Sequence, residues 1–213
     1  MTGAAGTGRP VGARRLLVIG TGSVAAAHLP FWASWLKSGH PGTEVRYVLT
    51  GAATRFVARE ALTAISGCEV LVDRWPDDPE PRARHVDLAQ WPDAVVVLPA
   101  TLNYVARLAL GLGDSPSLLA LQCTGAAIAL APALPPGGAQ SAAYADHTAK
   151  LRERRNVVVV PPHPGLSTTS GKREAWAPAP FPEALAAADG LRAELEAPVP
   201  GGPAGPEQEH APA

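Results

Sequence analysis

At 213 residues, 46% hydrophobic and 17% charged, the chain can bury the core of one soluble domain and is too apolar to belong to the disordered class. Its 18 Lys and Arg against 19 Asp and Glu leave a net charge of -1, without the basic surplus that binding a nucleic-acid backbone requires. Only two cysteines occur, Cys68 and Cys123, each in an apolar neighbourhood and without the spacing of a zinc or redox pair, so no metal site is expected and both are read as buried thiols in a reducing cytoplasm.

The first residues, "MTGAAGTGRPVG", and the last from Ala197, "APVPGGPAGPEQEHAPA", offer little to bury. Residues 1–13 and 197–213 are therefore read as disordered tails around one domain over 14–196. After Arg14-Arg15 the run "LLVIGTGSVAAAHLPFWASWL" superficially resembles a signal or membrane-spanning segment, but Gly20, Gly22, Ser23, His28 and Pro30 interrupt it and suit a strand, turn and helix. Strands are expected at Arg15–Ile19, Val45–Leu49, Glu69–Val72, Ala94–Leu98, Ala127–Leu130 and Val157–Val160. Helical spacing falls over Val24–Lys37, Thr54–Ala64, Leu102–Leu112, Ala142–Arg154 and Pro182–Glu196. Nearly continuous apolar strands alternating with helices imply an α/β fold, a doubly wound parallel sheet of Rossmann or flavodoxin-like type, in a single domain without repeats.

Ligands of such sheets lie outside the carboxyl ends of the strands, where four corners stand out: "GTGSVAAAH", "TGAATRF", "PATLN" and "APALPPGG". The first matches GxGxxA through Gly20, Gly22 and Ala25, a weak signal for an anion at a helix N-terminus. A dinucleotide site would place Asp or Glu at the end of the second strand to hold a ribose diol, and here that place is Thr50. With Ser23 and Thr54 it makes a set of hydroxyl donors suited to a mononucleotide phosphate. Taken singly, each is equally an ordinary helix cap.

The series "GTGSVAA", "VLTGAATRFV", "HVDLAQWPDAVVVLPATLNYVARLALGLGD" and "IALAPAL", spanning about residues 16–173, resembles the homo-oligomeric flavin-containing cysteine decarboxylases. That family includes phosphopantothenoylcysteine decarboxylase and the epidermin-type enzymes acting on C-terminal cysteines of ribosomal peptides. The strongest part is the histidine, tryptophan and PA[ST]xN corner in register. The resemblance implies FMN, with Gly22, Ser23, Thr50, Thr54 and Phe56 at the phosphate and ribityl end, and Pro99, Ala100, Thr101 and Asn103 near the ring. It places the catalytic histidine on His85, a side chain of the kind that can take a thiol proton at neutral pH. Without the family, a lone histidine there reads as a loop or helix-start residue bonded to backbone. The implied chemistry is oxidative: a hydride leaves the cysteine Cβ for the flavin, and the thioaldehyde formed accepts the electrons released as CO2 departs.

Departures from the family pattern narrow the expectation. Where the family has P-x-M-N, this chain has Pro132, Ala133, Leu134 and Pro135, and proline offers no donor to a substrate carboxylate. Gln140, Ser141 and Arg173 are possible substitutes, and Tyr104 stands where a small hydroxyl residue often closes the fourth corner. The candidate flap, "PPHPGLSTTSGKR" over 161–173, lacks the cysteine with which coenzyme A pathway enzymes reduce the aminoenethiol. Leu134, Pro135, Ser167 and Arg173 are expected to contact substrate.

The branch favoured is thus FMN-dependent oxidative decarboxylation of a precursor peptide's C-terminal cysteine to an aminoenethiol, toward an aminovinyl-cysteine ring of a lanthipeptide. The alternatives are phosphopantothenoylcysteine decarboxylase, a non-catalytic flavin-binding regulatory subunit, and a flavin prenyltransferase. A cytoplasmic homo-oligomer built from trimers is expected, with no nucleic-acid or membrane partner.

Overall fold

A computed structural model describes residues 12–78 and 81–197. Six parallel strands form one sheet in the order β3-β2-β1-β4-β5-β6: β1 (Arg15–Gly20), β2 (Glu44–Thr50), β3 (Val70–Asp73), β4 (Ala94–Thr101), β5 (Ala127–Ala133) and β6 (Val157–Val159). The order reverses between β1 and β4, so the crevice favoured for ligands lies where those two strands end.

Alternation along the strands builds two cores. Leu16, Val18, Ala94, Val96, Ala129 and Ala131 face one side. There they meet helices α1 (Leu29–Gly39), α2 (Arg59–Ser66) and α7 (Phe181–Glu196). Leu17, Ile19, Val95, Val97, Ile128 and Leu130 face the other. Over them lie α3 (Arg84–Gln90), α4 (Leu102–Ala109), α5 (Pro116–Cys123) and α6 (Ala142–Arg152). Burial on both faces explains why the strands read as unbroken apolar runs.

The six expected strands are present, β4 and β5 each running three residues further than expected. The expected helix over 24–37 is two pieces, a 3-10 turn at Val24–His28 and α1, which begins where Pro30 occupies the first turn and needs no N–H partner. The helix over 54–64 is likewise a 3-10 turn at Ala53–Arg55 followed by α2, which ends on Gly67 at a φ of 74°.

Gly12 and Ala13, read as part of the leading tail, are held by their backbone N–H groups on the Asp189 carboxylate at 3.0 and 2.9 Å. The remainder of that tail, and residues 198–213 of the trailing one, lie outside the described residues. The reading of both cysteines as buried needs correcting: Cys68 is half-buried, and Cys123 is exposed at the end of α5. Among the described residues no helix is long and apolar enough to cross a membrane.

Candidate active site

The first and fourth corners are locked together by a residue that sequence reasoning passed over. Thr21, buried at the end of β1, donates its backbone N–H and its hydroxyl to the Pro99 carbonyl at 3.2 and 2.7 Å. Its Oγ1 also accepts the Thr101 N–H at 2.9 Å. Three bonds thus close the crevice floor between β1 and β4. The only available signal was a hydroxyl between the two glycines of "GTG", a position the motif leaves free.

The second corner packs directly on the first. A Cβ built on Gly22 would lie 2.4 Å from the Ala52 Cβ, so only glycine permits this approach. Ser23 caps the 3-10 turn by accepting from the Ala25 N–H at 3.4 Å, and Thr50 accepts from the Ala53 N–H at 3.2 Å. Each hydroxyl keeps its own proton for an outside acceptor. Thr54 differs, because its hydroxyl donates to the Gly51 carbonyl at 2.8 Å and has no proton left for a phosphate. Phe56 closes this corner with its ring 42% exposed.

At the fourth corner Thr101 caps α4 by accepting the Tyr104 N–H at 3.4 Å, and Asn103 is exposed on the first turn. Ala100 turns its methyl into the core against α4 and α5, so only its backbone borders the crevice. Tyr104, whose bulk looked out of place there, points away from the corner. Its hydroxyl meets Ser117 Oγ at 2.8 Å in full burial, which, with the neighbouring Asp73 charge, pushes the phenol well above its usual range. Asp73, at the end of β3, pairs with Thr50 across the sheet, but its carboxylate accepts from Ser115 Oγ, Ser117 N and Ser117 Oγ at 2.8, 2.8 and 2.7 Å. Both of its oxygens are engaged, and the donor set at the crevice is one of hydroxyls and backbone amides. That chemistry fits the phosphate of a mononucleotide such as FMN better than a ribose diol.

The fifth corner adjoins the fourth, since Ala100 pairs with Pro132 and Thr101 with Ala133. Leu134 is 4% exposed and exchanges two backbone bonds with Trp176, at 2.9 and 3.0 Å. Trp176 belongs to a hairpin of β7 (His163–Gly165) and β8 (Ala175–Ala177). The flap is therefore a hairpin reaching past the expected 161–173, clipped to the strand end where the family's asparagine would follow. Pro135 is exposed, its carbonyl accepting from Gly138 N at 2.9 Å. Ser141 is committed as the cap of α6, accepting from Tyr144 N and donating to the Gly138 carbonyl. Ser167 accepts the Ser170 N–H inside the flap, while Arg173 is exposed and among the described residues has no ion-pair partner.

His85 does not join these corners. It lies at the start of α3, a helix sequence reasoning missed because seven residues carry too little periodicity. Its ring meets Trp75 edge to face, with centroids 5.5 Å apart. Trp75 follows β3, two strands and so roughly 10 Å across the sheet from β1. Among the described residues no hydrogen bond or ring contact links His85 to the crevice.

Fold and crevice together define a doubly wound protein whose switch point is lined with hydroxyls and backbone amides. The chain belongs to the Flavoprotein family, whose profile matches residues 6–178. A relative from a Streptomyces species, cypemycin cysteine dehydrogenase (decarboxylating), is 35% identical over 174 residues, covering 82% of this chain and 90% of that one. The crystal structure of the cypemycin decarboxylase CypD superposes with a TM-score of 0.72 at 32% identity, over 90% of this chain and 100% of that one. The FMN-dependent cysteine decarboxylase SpaF does so with a TM-score of 0.70 at 26% identity, over 84% and 97%.

Proposed function

We propose that this chain is an FMN-dependent peptidyl-cysteine decarboxylase, converting the C-terminal cysteine of a ribosomally made precursor peptide to an aminoenethiol on the way to an aminovinyl-cysteine ring of a lanthipeptide. The observation that carries the reading is the crevice between β1 and β4, walled with hydroxyl and amide donors and free of a ribose-binding carboxylate, in a chain 35% identical to a named cysteine dehydrogenase.

Gly22, Ser23 and Thr50 hold the phosphate, with Thr54 and Phe56 flanking the ribityl chain. The backbone of Pro99 and Ala100, with Thr101 and Asn103, borders the ring. When bound, FMN supplies the two-electron acceptor. His85 takes the proton of the substrate thiol, so that electrons on sulfur form the carbon–sulfur double bond as the hydride leaves Cβ. The Cα–carboxylate bond then breaks, its pair forms the Cα–Cβ double bond, and the sulfur is left as an enethiolate for protonation. Leu134 and Pro135 wall the substrate tail, and from the flap Ser167 borders it while Arg173 takes the carboxylate in place of the missing asparagine.

Neither described cysteine lies on the flap, so nothing there reduces the enethiol further, which favours a peptide-modifying enzyme over phosphopantothenoylcysteine decarboxylase. Assembly as a cytoplasmic homo-oligomer built from trimers completes the site. With the flavin at a subunit boundary, His85 of one copy serves the crevice of the next.

The test is to incubate purified protein with synthetic peptides ending in cysteine, follow by mass the loss of CO2 and two hydrogens, and identify the cofactor released by heat. Yellow protein that leaves every such peptide unchanged would point to the flavin-binding regulatory role instead. A colourless protein that FMN cannot reconstitute would end the reading altogether.

A further inference from the structure

We propose that Trp75 is a positioning residue for the His85 imidazole, fixing the direction in which the base presents its nitrogen to the substrate thiol. This rests on the reading of His85 as the base. α3 begins without a side-chain cap, and on one side it borders a cavity of about 540 Å³ lined by His85, Val86, Ala89 and Cys123. An imidazole at the rim of such a space has more than one open rotamer. The contact that selects among them is the indole of Trp75, 5.5 Å away at an interplanar angle of 69°. Such edge-to-face geometry is the favoured one for two aromatic rings.

Trp75 can act as a stop because it is itself held. Its Nε1–H donates to the Asp114 carbonyl at 3.2 Å, and Arg107 grips the Asp114 carboxylate at 2.6 Å. Two residues upstream, Asp73 is anchored to Ser115 and Ser117. Both ends of the segment Asp73 to Trp75 are thus tied to the turn that opens α5. A tryptophan left 41% exposed, yet held by its indole and by the anchored Asp73 two residues before it, makes little sense as core. As one wall of a site for His85 it has a use.

The experiment compares the FMN-loaded wild type with W75A, W75F and H85A, measuring kcat and KM on a cysteine-ending peptide and the imidazole proton resonance of His85, assigned by its absence from H85A. W75A should lower kcat by about three- to tenfold, the worth of one edge-to-face contact, with KM nearly unchanged. In W75A the His85 resonance should move and broaden, and W75F should restore both readouts. A W75A protein with wild-type kcat, while H85A is inactive, would overturn the positioning role alone. H85A as active as wild type would overturn the base assignment, and with it the role of Trp75.

Discussion

The crevice between β1 and β4 and the ledge that carries His85 are held by different kinds of force. At the crevice three bonds from Thr21 and the close approach of Gly22 to Ala52 leave the backbone one arrangement. On the ledge a short helix presents His85 to one exposed ring beside open space. A phosphate cradle built from backbone and hydroxyls on a parallel sheet gains from rigidity, because its donors cost no reorganisation when the anion arrives. The ledge, by contrast, is set by side-chain contacts, which on the proposed function assembly and substrate would complete. The two regions should therefore fail in opposite ways: ledge variants should lose rate and keep the cofactor, whereas crevice variants should lose the cofactor or the fold.

The largest effect is expected on the ledge. His85→Ala should lower single-turnover decarboxylation by roughly 10²-fold or more, the usual worth of a positioned base, at full flavin occupancy. Absorbance of the bound flavin beside the peptide mass assay separates the two quantities. Loss of flavin in parallel with rate would erase the contrast between the regions.

In the crevice, Thr21→Val keeps the shape and the backbone bond to Pro99 but removes the hydroxyl bond to it and leaves the Thr101 N–H without its acceptor. Stranding buried polar groups costs about 1–3 kcal/mol, so the melting temperature should fall and FMN should bind more weakly. Thr21→Ser, which keeps the hydroxyl, should recover most of both. A valine variant as stable as wild type would show that the corner is held by packing and not by these bonds.

Sheet and crevice were readable in sequence for the same reason: strands buried on both faces leave apolar runs, and turns at strand ends leave glycine and hydroxyl residues. What escaped was short or fully buried. α3 has seven residues, and α5 carries buried residues on several sides, Leu118, Ala120 and Leu121 among them, so neither shows an amphipathic stripe. The flap hairpin is made of His-Pro-Gly and Ala-Trp-Ala, three-residue strands with no alternation to detect. Thr21 left no local signal, because its role depends on Pro99, 78 residues away in sequence. The separation of His85 from the crevice was hidden for the same reason, since residues near in a motif can stand on different flanks of a sheet.

Between rate and cofactor stands the substrate. Arg173 sits on a flap clipped to the fifth corner, so Arg173→Gln should raise KM for a cysteine-ending peptide about tenfold, a charge-assisted bond's worth, with kcat and flavin little changed. On an analogue lacking the terminal carboxylate, wild type and variant should be indistinguishable. An equal loss on both substrates would move Arg173 from carboxylate recognition to general support of the flap.

The smallest effect concerns the support of the ledge. The Arg107 hydrogen bond, with its charge, holds the Asp114 carboxyl below its ordinary value of 3.8. A carboxyl lowered in the folded state stabilises above its unfolded pKa, and that contribution fades as pH falls through the lower folded value. The Asp114 carboxylate is more than half exposed, so the pair is worth well under about 1 kcal/mol, and Asp114→Asn should barely move the melting temperature at neutral pH. The difference between wild type and variant should begin to shrink as pH drops below about 3.8 and vanish once it passes the lower folded value, because protonation then does to the wild type what the substitution does at every pH. What the variant should change is mobility at the turn whose carbonyl receives the Trp75 indole, seen as faster exchange of that indole proton at neutral pH. An indole exchanging equally in both proteins would mean that the Asp114 backbone holds Trp75 without help from Arg107, and the support of the ledge would then rest on Asp73 and the start of α5.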